Sequence, residues 1–465
     1  MKLRSSEDLH SNGVMRPAAG GRSLRDVSWR TRWAVYEYVR NSLWIVPAIF
    51  GAIAIALGIL LPELDQRATT TIGISFGAGA AQGMLGSMAG GMITFTGFVF
   101  SILLLAVQFG SSQFSPRMLR RFLRDPTTKI ALGLFMATFI YALLVLRTIG
   151  EAGDESFVPN NSISIALLML LASMIVFLRL ISRTTQGLRV AGVLSELGRD
   201  GAKLIDRVYR EMSDGPEAPP VEPDRALGDG QVVAYPGQPG VLQSIDERGL
   251  VKTAREAGGV IELVPPIGDL LASGSPLFRV RGGRSAIPEQ SLTDSIAVGD
   301  ERTMRQDPAF VFRLLADISS KALSPGVNDP TTSAQALDQI ELLLRMLAGR
   351  RLTPGERRDE TGAVRLTYPA PSWEDFLSIA LDETRLFGSG SIQVSRRMRA
   401  LLEDLHAAVP PHRRPAIEAQ MALLEDSVGR GYTDLGERRI ATARDRQGIG
   451  SPHAVSDAAH GAGQA

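Results

Sequence analysis

The stretch "GSMAGGMITFTGFVFSILLLAVQ", residues 86–108, runs its whole length without an ionisable side chain. A helix needs about 20 apolar residues to cross the hydrocarbon of a bilayer. A helix on a soluble core would show a polar face every turn, and this run shows none. Three other runs behave alike: "SLWIVPAIFGAIAIALGILL" (42–61), "IALGLFMATFIYALLVLRTI" (130–149) and "SISIALLMLLASMIVFLRLI" (162–181), with no Asp, Glu or Lys among them. The pattern predicts an α-helical integral membrane protein with four transmembrane helices within residues 41–185.

The flanks predict its orientation. Arg22, Arg25, Arg30, Arg32 and Arg40 precede the first run, so residues 1–40 form a basic segment. The connection 62–85 carries Glu63, Asp65 and Arg67, net −1, and the connection 150–161 carries Glu151, Asp154 and Glu155, net −3. Between them, residues 109–129 carry Arg117, Arg120, Arg121, Arg124 and Lys129 against Asp125, net +4. Arg179, Arg183 and Arg189 follow the fourth run. Positive flanks stay in the cytoplasm, so both termini are expected inside. The N-terminus lacks the short apolar core and cleavage site of a secretory signal, and the first span is expected to be retained.

Within the spans, Arg147 and Arg179 lie near the ends, where long side chains reach the headgroups. Pumps and proton-coupled transporters place an ionisable group mid-span, and these spans have none. The second run carries small residues at helical spacing: Gly86, Gly90, Thr94, Gly97 and Ser101, with Gly91 beside them. Two readings stand. The stripe is a seam for close helix packing, or Thr94, Thr96 and Ser101 line a narrow polar path in an oligomer.

Other chemistry is narrowed by composition. The chain has 465 residues, a net charge of +1 and no cysteine, which excludes disulfides, thiol catalysis and thiolate metal sites. Its five histidines (His10, His406, His412, His453, His460) lie near the two ends, and no metal or cofactor is expected.

Beyond the spans, residues 186–230 read as an amphipathic connecting helix (189–212) and a Pro-, Gly- and acid-rich linker. Short strands between turns then predict a β-module over 231–290. Within it, "VVAYPGQPGVLQSID" followed by "IGDLLASGSPLFRV" resembles the two halves of a biotinyl/lipoyl-type barrel sandwich. The carriers of that fold present a lysine between the halves. Here the intervening segment holds only Lys252, without a modification pattern, so a structural, barrel-like module is expected. Residues 291–440 read as a helical domain. Asp307–Pro308 and Asp329–Pro330 supply helix caps, as Asp125–Pro126 does for the third span. Residues 441–465 are polar and Gly-rich and are expected to be disordered.

Candidate sites are few. In "SPRMLRRFLRDPTT" (115–128), Arg117, Arg120, Arg121 and Arg124 share one helical face opposite Met118, Leu119, Phe122 and Leu123. This predicts an interfacial helix touching anionic lipids. Ser391 with Arg396 and Arg397 forms a weak anion site at a helix start, against the plainer reading that Ser391 caps that helix. Arg302, Asp307, Asn328 and Asp329 are polar residues beside apolar helices, expected to serve as caps and ion pairs. No phosphate loop, zinc motif, nucleophile elbow or dinucleotide fingerprint occurs, so an enzyme is not expected.

Several blocks together carry a resemblance: "FTGFVFSILLLAVQFGSSQFSPRMLRRFLRD", "LGLFMATFIYALLVL", "ERTMRQDPAFVFRLLADISSKALSPGVNDPTTSAQALDQI" and the Gly-Asp turn module. Over roughly residues 30–435 the chain resembles the bacterial predicted-membrane-protein family called domain of unknown function 2254. The resemblance implies a bacterial inner-membrane protein and supplies no activity, ligand or catalytic residue. Two functions are compatible with the sequence. One is a passive channel or conductance protein gated by its cytoplasmic domain. The other is a membrane-anchored sensor or scaffold whose cytoplasmic domain binds a ligand or a protein. Its expected partners are the bilayer, anionic lipids and further copies of itself, and not nucleic acid.

Overall fold

The computed structural model of the protein describes residues 29–67, 75–113, 125–149, 157–187, 189–213, 215, 230–352 and 355–449. A first helix, α1 (Trp29–Asn41), precedes four long apolar helices: α2 (Ile45–Arg67), α3 (Ala78–Gln113), α4 (Pro126–Arg147) and α5 (Asn160–Gly187). All four are long and apolar enough to cross a membrane. α2, α3 and α5 run on past the C-terminal ends of their apolar runs, because polar residues continue a helix once it is started, while α4 begins before its run at Pro126.

The four are arranged around α4. It packs against α2, α3 and α5, and its span is the half-buried one, while the others leave most of their surface outward. Small residues on both partners allow the approach. Gly133 of α4 sits under Phe50 of α2, and Gly58 of α2 sits under Leu144 of α4. Deep in the interface, Thr138 of α4 and Ser173 of α5 share a hydrogen bond at 3.1 Å.

Polar contacts fasten both ends of the bundle. At one end, Asp65 accepts from the Ser162 N–H (2.8 Å) and hydroxyl (2.7 Å), and Tyr141 donates to the Ser162 carbonyl. At the other, Asp125 caps α4 by accepting from the Thr128 N–H, with Pro126 at the first helical position, and pairs with Arg183 of α5 at 3.0 Å. Lys129 donates from Nζ to the Arg40 carbonyl, which ties the end of α1 to the start of α4.

The rest of the chain builds two further cores. One is helical: α6 (Val190–Val208), α9 (Pro308–Ala322), α10 (Pro330–Ala348), α11 (Trp373–Gly388), α12 (Ile392–Ala408), α13 (Arg414–Gly431) and α14 (Leu435–Ala441). Asp307 and Asp329 cap α9 and α10 by accepting from the N–H groups of Phe310 and Thr332, each with proline next in the chain, as their sequence predicts. The helix expected to be a connector is instead part of this core. Val193, Leu194, Leu197, Leu204 and Ile205 bury one face of α6, and a Cβ on Gly201 would meet Leu343 and Val311 at 2.9 Å.

The other core is a pair of sheets. Strands β1 (Gln231–Ala234), β2 (Gly240–Ile245), β3 (Gly259–Leu263), β4 (Leu270–Leu271), β5 (Pro276–Gly282) and β6 (Ile296–Gly299) come from the expected region, with α7 (Glu247–Ala257) and the short α8 (Glu289–Thr293) among them. β7 (Gly355–Arg358) and β8 (Val364–Tyr368) arrive from between α10 and α11. One sheet has the order β1-β5-β3-β8-β7 and the other β4-β2-β6. The pairings β1 with β5 and β2 with β4 are antiparallel, while β3 and β8 run parallel, with Ile261 opposite Leu366. The module is therefore not confined to 231–290. It borrows a hairpin from the helical region because β3 offers a free edge that Leu366 and Tyr368 cover with buried side chains.

The tail also differs from expectation. Residues 442–449 are seated on α12: the Asp445 N–H donates to the Arg396 carbonyl, and Gln393 donates to the Gly448 carbonyl. Arg446 donates to Asp404 at 2.7 and 2.5 Å, and Arg444 joins it there. Charge pairing holds a segment whose low hydrophobicity had pointed the other way. Residues 450–465 lie outside the described residues.

Candidate functional site

Where the sheet module meets the helical core, a cleft of about 1560 Å³ opens. The start of α7 and the β7–β8 hairpin form one wall; the end of α6 and the starts of α9 and α11 form the other. Helical spacing turns Glu247, Arg248, Val251, Lys252 and Arg255 of α7 toward it. Opposite charges cross-brace this wall. Glu247 accepts from Arg357 at 2.7 and 3.2 Å and from the Tyr368 hydroxyl at 3.0 Å, and the Arg357 guanidinium lies 5.4 Å from the Tyr368 ring centre. Burial together with the neighbouring Glu247 charge pushes the Tyr368 hydroxyl well above the usual phenol range. Burial works against the Arg357 charge, but the Glu247 hydrogen bonds together with electrostatic support from Tyr368, Glu247 and Glu211 offset it and hold the guanidinium above its ordinary value.

Most carboxylates of the cleft are committed in this way: Glu211 to Arg351, Glu360 to Arg255, Glu356 to Arg358, and Asp359 to Arg365 and Thr361. Arg207 and Arg248 line the cleft exposed and, among the described residues, without a carboxylate within 4.0 Å. The arrangement lends itself to holding an anionic molecule.

The floor of the cleft is the segment 300–307. Arg302, Gln306 and Asp307 face the cavity. Arg302 pairs with the buried Asp307. Burial raises the Asp307 carboxyl above the usual carboxylate range, with the Arg302 contact and the N–H groups of Phe310 and Ala309 opposing that shift. Gln306 holds the segment to the sheet, accepting from the Ile245 N–H (2.9 Å) and donating to the Ile245 carbonyl (3.1 Å). Gln243 donates to the Glu301 carbonyl at 2.8 Å.

The same segment reaches away from the cleft to α1. The Arg305 guanidinium sits 4.3 Å from the Trp33 ring centre and 4.4 Å from that of Tyr36, with Glu37 at 3.6 Å. Trp29 stacks on Trp33 from the other side of the turn, ring centres 5.3 Å apart. Arg305 thus joins the cleft floor to the helix that leads into the first span. Sequence reasoning selected "GDERTMRQDP" for Arg302 and Asp307 but passed over Arg305. The available signal was an arginine one residue off the cleft-facing positions, together with the Trp-x-x-x-Trp-x-x-Tyr-Glu face of α1.

The sequence-derived candidates fall as follows. Arg117, Arg120, Arg121 and Arg124 lie outside the described residues. Ser391 stands at the start of α12 but makes no cap hydrogen bond. The anion site proposed with it is not assembled, because Arg396 and Arg397 are buried in the helical core. Arg397 is taken by Asp338 and Glu341, both at 2.7 Å, and the Arg396 carbonyl receives the tail. Gly86, Gly90, Thr94, Gly97 and Ser101 all point outward from the bundle, and a Cβ on any of these glycines would meet nothing within 4 Å. They form no seam within one chain. The hydroxyls of Thr94, Thr96 and Ser101 donate to the carbonyls of Gly90, Met92 and Gly97 on their own helix. Lys252 is an exposed residue of α7 with Glu256 at 3.9 Å.

Comparison with known proteins agrees with the membrane character of the four apolar helices. A family model described as predicted membrane protein (DUF2254) matches residues 40–404. Proteins described as uncharacterized from Mycobacterium bovis and Mycobacterium tuberculosis are each 30% identical over 442 residues, covering 90% of this chain and 83% of the relative. No solved structure matches the chain.

Proposed function

The chain belongs to the DUF2254 family of predicted membrane proteins, and from that premise we propose that it is a membrane-anchored sensor. In this reading the cleft binds an anionic ligand, and Arg305 relays its presence to the spans. One observation carries it: within 300–307, Arg302, Gln306 and Asp307 face the cleft while Arg305 is clasped by α1. A ligand that shifts this segment pulls on the helix entering the membrane. Arg207 and Arg248 favour an anion as the occupant. We read the protein as non-catalytic, since most of the cleft's carboxylates are engaged by arginines and caps. The charge asymmetry of the connections supports a bacterial inner-membrane location with both termini, and hence the cleft, in the cytoplasm.

The relay is tested by hydrogen exchange on the full chain in lipid nanodiscs. Arg302→Gln, which alters a side chain paired with Asp307 and lying over the Phe310 ring, is expected to raise exchange in residues 29–41, as Arg305→Ala does directly. If Arg302→Gln leaves α1 unchanged while Arg305→Ala loosens it, Arg305 is an anchor only and the relay is refuted.

A second reading, a channel gated by the same domain, is favoured by the outward small-residue stripe of α3. Three spans around a central fourth leave no room for a pore within a chain, so conduction requires a homo-oligomer that brings several α3 stripes together. Ion flux through reconstituted liposomes, with particle mass in lipid, decides it. A monomer without conductance removes this reading.

A further inference from the structure

The helix α1 has two unlike faces. Trp29, Trp33, Tyr36 and Glu37 turn toward Arg305. The opposite side presents Val35 (58% exposed), Tyr38 (70%) and Val39 (41%), with Arg32 exposed at its edge. Positions 35, 38 and 39 follow the i, i+3, i+4 spacing of a single stripe. Among the described residues, none covers it.

We propose that this stripe is seated in the headgroup region of the bilayer, making α1 an interfacial helix that binds the lipid surface on one side and Arg305 on the other. Three observations name lipid as the occupant. First, α1 runs almost directly into α2: the Ser42 N–H donates to the Tyr38 carbonyl, and after Leu43 the Ala48 N–H donates to the Trp44 carbonyl, so the two helices are joined by a tight turn. Second, the height of α1 is fixed. Lys129, at the start of α4, donates to the Arg40 carbonyl at 2.5 Å, which holds Tyr38 and Val39 within a turn of the level where a span begins. Third, the chemistry suits that level. Tyrosine and tryptophan concentrate at the interface, where an apolar ring and a polar edge are both satisfied, and Trp44 at the turn is 73% exposed. Arg32 adds a cation that gains from anionic headgroups.

The inference stands whether or not the cleft relays a signal. It would place Arg305 one helix diameter from the lipid, about 10 Å.

The chain has no cysteine, so single spin labels can be placed on the full-length protein without background. Labels at V35C and Y38C are compared in nanodiscs with I53C on the lipid side of α2 and E360C on an exposed turn. Collision with oxygen against a water-soluble nickel chelate reads immersion. The oxygen preference of V35C and Y38C is expected to lie between those of the two references. A value equal to that of E360C refutes the proposal, and so does shielding from both reagents, which would indicate a protein cover such as a second copy of the chain. Replacing phosphatidylcholine by a mixture with phosphatidylglycerol should deepen both labels. Arg32→Gln should abolish that deepening, and a deepening that persists removes the role assigned to Arg32.

Discussion

The Arg305 guanidinium lies 4.3 Å from the centre of the Trp33 ring, and no other arginine contacts α1 through an aromatic face among the described residues. Trp33 belongs to the helix before the first span, and Arg305 to the segment between the last strand of the smaller sheet and α9. The contact is a cation held against π-electrons with a second ring and a carboxylate in support. Such contacts contribute about 0.5–2 kcal/mol each, more where water is excluded.

A double-mutant cycle on Arg305 and Trp33 is therefore expected to give a coupling of about 1–2 kcal/mol. Arg305→Lys should retain only part of it, because a compact ammonium loses the flat stacking of the guanidinium. Chemical unfolding of the purified chain in detergent, followed by proteolysis within 29–41, measures the terms.

The link at Asp125 does two jobs, and two variants separate them. Asp125→Asn keeps an oxygen to cap α4 but loses the charge that meets Arg183 at 3.0 Å. Asp125→Ala loses both. The alanine variant should cost about 1 kcal/mol more than the asparagine variant, the usual value of a cap. Thermal unfolding of the two in the same detergent checks the difference.

Glycine contacts predict opposite outcomes at two positions. Gly201→Val on α6 drives a side chain into Leu343 and Val311 and should destabilise the helical core by about 1–3 kcal/mol. Gly90→Val on α3 meets nothing within 4 Å and should leave the stability of one chain unchanged. If the α3 stripe joins copies of the chain, as the channel reading requires, the same variant lowers the particle mass measured in nanodiscs.

The docked tail should respond to acid. Asp404 is opposed by partial burial, yet the hydrogen bond from Arg446 and the charges of Arg444, Arg446 and Arg345 more than offset it and hold its pKa below the ordinary value. A depressed carboxylate contributes stability that is complete above its unfolded pKa, about 3.9, and is lost as pH falls through the lower folded value. Exchange protection in 442–449 should therefore hold at neutral pH and drop below about pH 4. Asp404→Asn should weaken it at neutral pH and flatten the acid dependence.

The four spans were legible because each rule that finds them is local. A run of apolar residues, a charge at its flank or a proline after an aspartate can be read without knowing the rest of the fold. The same holds for the caps at Asp125, Asp307 and Asp329. What escaped was non-local. The strand Val364–Tyr368 carries an alternating pattern after the turn-forming "DETG", but only its parallel pairing with β3 makes it part of a sheet. Arg397 reads as a free cation beside Ser391 until Asp338 and Glu341, more than fifty positions away, take it up. Arg305 is one of many arginines in a chain rich in them, and only the placement of Trp33 and Tyr36 distinguishes it. The stripe on α3 was legible as a stripe, yet spacing alone does not say which way it points.

The central place of α4 bears on how the membrane part comes into being. In chain order α4 is the third span to leave the ribosome, while α2 and α3, made before it, are packed on α4 far more than on each other. During synthesis those two helices therefore wait in the membrane without their main contact surface. Assembly becomes favourable only when α4 arrives, with α5 closing around it. Truncations ending after α3 should yield inserted but loosely associated spans, and chains ending after α4 should be the shortest to resist proteolysis in the membrane.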